Sequence, residues 1–193
     1  MLIFIGASAS GKTEIAKILI NHYGFEKVVT YTSRPMRDGE IDGVDYHFID
    51  TSAFEAKIER QEFIETVIYN GNFYGTAFND TDVNKVLIVD PKGANVLAEK
   101  LGESAVFFYL EAPQSVRINR MKKRGDHLHD IKKRIEKDRD RFIVDNLKRV
   151  DFFIQTNHHG LYDLARNIYE AYRQELLHRG KITMRESELF HKL

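Results

Sequence analysis

Eight residues near the start of the chain, Gly6-Ala7-Ser8-Ala9-Ser10-Gly11-Lys12-Thr13, have the types and spacing to hold a phosphate chain. The pattern G-x-x-x-x-G-K-[ST] wraps the backbone tightly, pointing consecutive N–H groups inward at an anion, and glycine tolerates that path. A helix starting directly after the loop adds its own unpaired N–H groups. Lys12 then reaches the β- and γ-phosphates, and the Thr13 hydroxyl ligates Mg²⁺. These residues make a nucleoside triphosphate site. They do not name a reaction, because GTPases, ATPases, transporters and small-molecule kinases share this loop.

Two further groups of residues carry charge in a usable pattern. Arg34 and Arg37 stand three apart with Tyr46 nearby. Their planar forks suit a second phosphate, since each donates two parallel hydrogen bonds. The same arginines have surface partners to hand in Asp38, Glu40, Asp42 and Asp45, and composition does not choose between the two readings. From Arg117 to Arg141 basic residues outnumber acidic ones. Within that run Arg120 and Arg124 are four apart and share a helix face, while Arg134 lies beyond a polar break at 125–129.

These residues need a scaffold, and the pattern supplies one. Leu2–Ile5 reads as a buried strand and Lys12–Tyr23 as a helix closed by Gly24. Lys27–Thr30 is a second strand. Ser52-Ala-Phe-Glu55 is a capping box opening a helix to about Arg60. Phe63–Tyr69 and Asn72–Tyr74 pair around Asn70-Gly71, a hairpin signal. Val86–Val89, Ala105–Leu110 and Val150–Gln155 are strands. Ala94–Leu101, the segment from Pro113 to about Lys123, and Asp130–Lys148 are helices. A last helix carries an apolar stripe at 161, 164, 165, 168, 172 and 176. Such alternation predicts an α/β protein, a P-loop three-layer sandwich around a parallel central sheet. The segment 31–83 breaks the alternation and is expected to be an inserted mixed α+β lobe, flanked by a core of 1–30 and 84–180. Residues 181–193 form a charged tail.

Between residues 30 and 48, Thr30, Arg34-Pro, Arg37, Gly39-Glu40, Gly43 and Asp45-Tyr46-x-Phe48 closely resemble the nucleoside-monophosphate segment of guanylate kinases. "EFIETVIYNGNFYGT" (62–76), "VLIVDPKGA" (86–94) and "RINRMKKRG" (117–125) follow in the order that family has them. The resemblance implies ATP-dependent phosphorylation of GMP, and of dGMP, with Mg²⁺. It implies that Arg34, Arg37, Tyr46 and Tyr74 hold the acceptor phosphate. Glu65, Thr76 and Asp90 would read guanine, with Thr30 as a further hydroxyl. Arg120, Arg124 and Arg134 would act with Lys12 in catalysis, from a helical lid at about 120–134. Thr156 and Asn157 fall where the family approaches the donor adenine. A carboxylate accepts together from guanine N1–H and its 2-amine, and O6 needs a donor such as a threonine hydroxyl.

The match has departures. Ile88 stands where a second acidic residue is common, Pro91-Lys92 replaces a different pair, and Ala-Ser-Ala-Ser fills a loop that usually holds Pro and a further Gly. The lid break is about one residue shorter. Two other functions fit parts of the pattern: a non-catalytic guanylate-kinase-like binding module, and a related kinase with another phosphorylated acceptor such as a sugar phosphate. The intact loop and lid arginines argue against the first, and the intact acceptor segment against the second.

Composition sets the remaining bounds. With no cysteine, disulfides and thiolate chemistry are excluded. Twenty-nine basic and 29 acidic residues give zero net charge, which favours neither a nucleic-acid nor a membrane partner. Met1 directly precedes the first strand, with no room for a signal peptide, so a cytoplasmic protein is expected; spacing does not choose between a monomer and a homodimer. His127, His129, His158 and His159 lack the acidic or thiolate company of a zinc site and read as polar surface.

Overall fold

The structure is a computed structural model, and it describes residues 1–69, 71–78 and 81–184. Five strands form the central sheet: β1 (Leu2–Ile5), β2 (Glu26–Lys27), β7 (Lys85–Ile88), β8 (Val106–Glu111) and β9 (Phe152–Gln155), in the order β2-β7-β1-β8-β9. Every pairing in it is parallel. β1 is therefore central and its four residues are buried. Successive side chains of a strand point to opposite faces. Leu2 and Phe4 pack with α1 (Lys12–His22) and α6 (Leu161–His178), whereas Ile3 and Ile5 pack with α3 (Pro91–Leu101). That division makes the three layers.

A second sheet of four strands, β4-β3-β6-β5, is built from β3 (Tyr31–Thr32), β4 (His47–Phe48), β5 (Phe63–Tyr69) and β6 (Asn72–Ala77). β3 pairs in parallel with β4 and antiparallel with β6, so the sheet is mixed. β5 and β6 pair from Phe63↔Ala77 to Tyr69↔Asn72; Asn70, half of the hairpin signal, lies outside the described residues. α2 (Thr51–Glu59) covers this sheet through Phe54, whose ring stacks on Phe63 and Phe73 at 4.6 and 5.2 Å. Ile64 of β5 joins the core layer under α3, tying the second sheet to the first. α4 (Gln114–Lys123) and α5 (Leu128–Arg141) pack around Met121, Ile131 and Ile135, and the Ala9 side chain packs against that cluster.

Several boundaries differ from the sequence reading, each for a local reason. α2 is capped by Asp50, which accepts from Ala53 N–H, so the Ser52 capping box does not form; Ser52 Oγ instead donates to Asp50. α3 begins at Pro91 rather than Ala94, because Asp90 caps it and proline suits the first helical position. α5 ends at Arg141, seven residues short of Lys148. Beyond it Phe142 and Val144 turn inward to pack under the sheet. Of the strand read at 27–30 only Lys27 lies in a strand, β2, and β3 begins beyond it at Tyr31. Leu161 lies off the buried stripe of α6, while Tyr169 and Arg173 lie on it. Ile182, in the segment read as tail, is buried against α6 and its neighbours. Among the described residues no helix is long and apolar enough to cross a membrane.

Gly75 of β6 sits under the phenylalanine stack: a Cβ there would lie 2.9 Å from Phe54 Cζ and 3.0 Å from Phe63 Cδ1. Overpacking a filled core costs roughly 1–3 kcal/mol. Gly75→Ala is expected to lower unfolding stability by that amount in urea titration, and an unchanged midpoint would show that the stack yields freely.

Candidate active site

The loop between β1 and α1 has the path its sequence requires. Gly6 (φ +150°) passes so close to β8 that a Cβ would lie 2.2 Å from the Leu110 carbonyl oxygen. Gly11 (φ +106°) caps α1 from the left-handed region. Between them Ala9 also takes a positive φ of 60°. This is the stretch where the resemblance expects a further glycine.

Other elements hold the loop's polar groups. Lys12 Nζ donates to the carbonyls of Gly6 (2.5 Å) and Ala7 (2.8 Å) and to Ser10 Oγ (3.2 Å). Burial pushes its ammonium down to about 8, with the charge of Asp138 opposing the shift. Ser8 N–H donates to Asp138 Oδ2 at 2.8 Å, and the Ser8 hydroxyl to Oδ1 at 3.3 Å. Asp138, on α5, is buried and also faces the Arg117 guanidinium at 3.5 Å. Sequence reasoning missed it. Thr13 is exposed at the start of α1.

Of the three arginines expected in the lid, one lies against the loop. Arg120 Nη1 donates to the Ala9 carbonyl and to Thr156 Oγ1, both at 3.1 Å. Thr156 is itself buried and its hydroxyl donates to the Ser10 carbonyl at 2.6 Å. It therefore braces the loop through the Ser10 carbonyl. Asn157 follows, its Nδ2 2.9 Å from His158 Nε2. Arg124 and Arg134 both converge on Asp126, at 2.5–2.9 Å and 3.2 Å. Among the described residues no three His, Asp or Glu side chains gather to hold a metal.

The second site is a cavity of about 240 Å³ lined by Thr30, Tyr46, Glu65, Tyr74, Thr76 and Asp90, with Arg141 among their neighbours. Glu65 Oε1 accepts from Thr76 Oγ1 at 2.7 Å, and Oε2 is buried without a hydrogen-bond partner. Burial pushes the Glu65 carboxyl above its ordinary value. Asp90 Oδ1 accepts from Gly93 N–H at 2.8 Å as the cap of α3, and Oδ2 pairs with Arg141. Gly93 has a spatial reason: a Cβ there would lie 3.3 Å from Glu65 Oε2. Arg34 makes a two-pronged pair with Glu40 at 2.8 and 3.0 Å and lies 5.5 Å from the Tyr46 ring centre. That pairing with Glu40 is the surface-partner alternative, realised for Arg34. Arg37 donates to Glu40 through its backbone, its side chain exposed. A neighbouring trough shares Thr30, Tyr46 and Ile88 with the cavity and extends to Thr13. The two polar sites are thus joined along one surface.

A glycine-rich anion cradle at the C-terminal end of a central parallel strand, opening a helix, defines a P-loop nucleotide-binding protein. The family model described as "Guanylate kinase" matches residues 1–159. The chain belongs to the guanylate kinase family. It is 36% identical to a guanylate kinase of Chlorobium chlorochromatii over 133 residues, 65% of this chain and 70% of that protein. It is 34% identical to one of Neisseria gonorrhoeae over 147 residues, 72% of each chain. The crystal structure of guanylate kinase from Anaplasma phagocytophilum superposes with a TM-score of 0.66, covering 91% of this chain and 85% of the other at 23% identity.

Two outcomes follow from the loop. A non-glycine residue in the left-handed region carries roughly 1 kcal/mol of strain. Ala9→Gly is expected to recover about that much in thermal unfolding; an unchanged or lower midpoint would show that the methyl's packing against the α4–α5 cluster outweighs the strain. A lysine shifted from 10.5 to about 8 binds fewer protons folded than unfolded between those values. Stability of the nucleotide-free protein therefore rises with pH across that window, by up to about 3 kcal/mol. Lys12→Met removes the titrating group, so the difference between wild type and variant in denaturant midpoints from pH 7 to 10 isolates the effect.

Proposed function

We propose that the protein transfers the γ-phosphoryl group of ATP to GMP, and to dGMP, giving ADP and the nucleoside diphosphate. The observation that carries this reading is Glu65: a carboxylate buried in the cavity wall with one oxygen on Thr76 and the other without a partner. Buried polar groups are ordinarily paired, so such an oxygen marks a place for a donor from outside the protein. Guanine supplies adjacent N1–H and amine donors there. Adenine has no N1–H and leaves the carboxylate unpaired, which is the strong form of discrimination.

The loop amides of 6–13 and Lys12 would hold the ATP phosphates. Arg34, Arg37, Tyr46 and Tyr74 would hold the GMP phosphate, with Glu40 giving up Arg34. Arg120, Arg124 and Arg134 would align and neutralise the transferring group from the α4–α5 hairpin. Phosphoryl transfer demands little covalent chemistry of the protein, so alignment and charge stabilisation are its main tasks. Mg²⁺ fits the donor set, because it takes one or two protein oxygens alongside phosphate oxygens and water. Thr13, exposed beside the loop, would be its protein ligand, and the ion would offset phosphate charge. On this reading the enzyme serves purine nucleotide metabolism in the cytoplasm, as a monomer or homodimer.

ADP release measured with each nucleoside monophosphate tests the proposal. GMP should be turned over and AMP, UMP and CMP should not; turnover of AMP or UMP without GMP rejects it. Lys12→Ala is expected to lower turnover by roughly 10²–10³-fold, the scale of losing one preorganised donor. Glu65→Gln should lower kcat/KM for GMP by roughly 100-fold, the scale of a hydrogen bond to a charged group.

A further inference from the structure

The base end of the cavity is short of donors. Glu65 and Asp90 are carboxyl groups, which when ionised can accept but not donate. A threonine hydroxyl has one proton, and that of Thr76 points at Glu65 Oε1, 2.7 Å away. Thr76 therefore presents lone pairs to the cavity, not the donor that a 6-oxo group requires. Tyr46 and Tyr74 lie at the other end, where Arg34 approaches the Tyr46 ring and hydrogen-bonds with Tyr74. Among the described residues the cation in the cavity wall is Arg141, the last residue of α5, whose guanidinium pairs with Asp90 Oδ2. It lies in none of the motifs that carry the family resemblance.

Resting on the GMP reading above, we propose that Arg141 is a specificity-determining residue whose guanidinium donates to O6 of the guanine base. An ionised pair with Asp90 orients that guanidinium, and the positive charge offsets the two carboxylates among which the base must sit. The arrangement completes the purine edge: Glu65 accepts from N1–H and the 2-amine, and Arg141 donates to the oxygen beside them. Adenine carries an amine at that carbon, so donor would face donor, and the mismatch adds to the one at Glu65.

The probe is 6-thio-GMP, which keeps N1–H and the 2-amine and replaces only the oxygen with a poorer acceptor. Steady-state kinetics of wild type, Arg141→Met, Arg141→Lys and Thr30→Val would be compared with GMP and 6-thio-GMP, with thermal unfolding to confirm folding. Wild type is expected to prefer GMP. Arg141→Met should lose roughly 10- to 100-fold in kcat/KM for GMP, chiefly through KM. The same variant should lose much less with the thio-nucleotide, so its preference falls toward one. Arg141→Lys should restore part of that preference, and Thr30→Val should keep it. A wild type indifferent to the sulfur overturns the proposal. So does an Arg141→Met variant that weakens both acceptors equally, since that is the signature of merely steadying Asp90, or a preference that disappears with Thr30→Val instead. A wild type that phosphorylates neither acceptor but accepts another monophosphate overturns the GMP reading itself, and the proposal with it.

Discussion

The structure depends on holding one short loop open. A loop this tight leaves backbone polar groups in need of partners, and Lys12, bonded to the Gly6 and Ala7 carbonyls, supplies only some of them. Here support comes from several directions. The Leu110 carbonyl of β8 presses against Gly6, and Thr156 after β9 holds the Ser10 carbonyl. Arg120 of α4 holds the Ala9 carbonyl, and Asp138 of α5 takes the Ser8 N–H. The central sheet and the α4–α5 hairpin must meet to bring those four positions together. The parallel order with β1 at the centre lets them converge at one strand end.

The cations proposed to face phosphate already have internal anions. Arg34 grips Glu40, while Arg124 and Arg134 share Asp126. Glu40 holds its partner firmly enough that the Arg34 guanidinium is pushed above its ordinary value, chiefly by that hydrogen bond. On the proposed reading, a phosphate arriving at these sites would exchange one anion for another. The net gain is the difference between two pairings, smaller than either alone. The exchange also keeps the unliganded protein free of concentrated like charge.

What the sequence made legible follows how local each feature is. The loop and the β1–α1 unit are written in consecutive residues, and they formed as read. Glu65 was different: on its own it is a polar residue on a strand, and only the ordered resemblance singled it out. The Ser52 box failed because Asp50 caps the helix two residues earlier through Ala53 N–H, which places Ser52 and Glu55 inside the helix, and spacing alone does not decide between the two caps. α5 was read too long because helical periodicity continues after Arg141, and only the burial of Phe142 and Val144 under the sheet ends it. Asp138 and Arg141 escaped notice altogether. Charged residues four and three apart on a basic helix look like a solvated face, and nothing local says that another layer lies over them.

That helix face has a mechanical consequence. Arg134, Asp138 and Arg141 occupy positions i, i+4 and i+7, one stripe about 10 Å long at 1.5 Å per residue. The first grips a carboxylate near the hairpin, the second the cradle, the third the neighbouring cavity wall. Two turns of helix do not flex independently, so a roll of this rod that lifts its middle tooth withdraws the outer two in the same stroke.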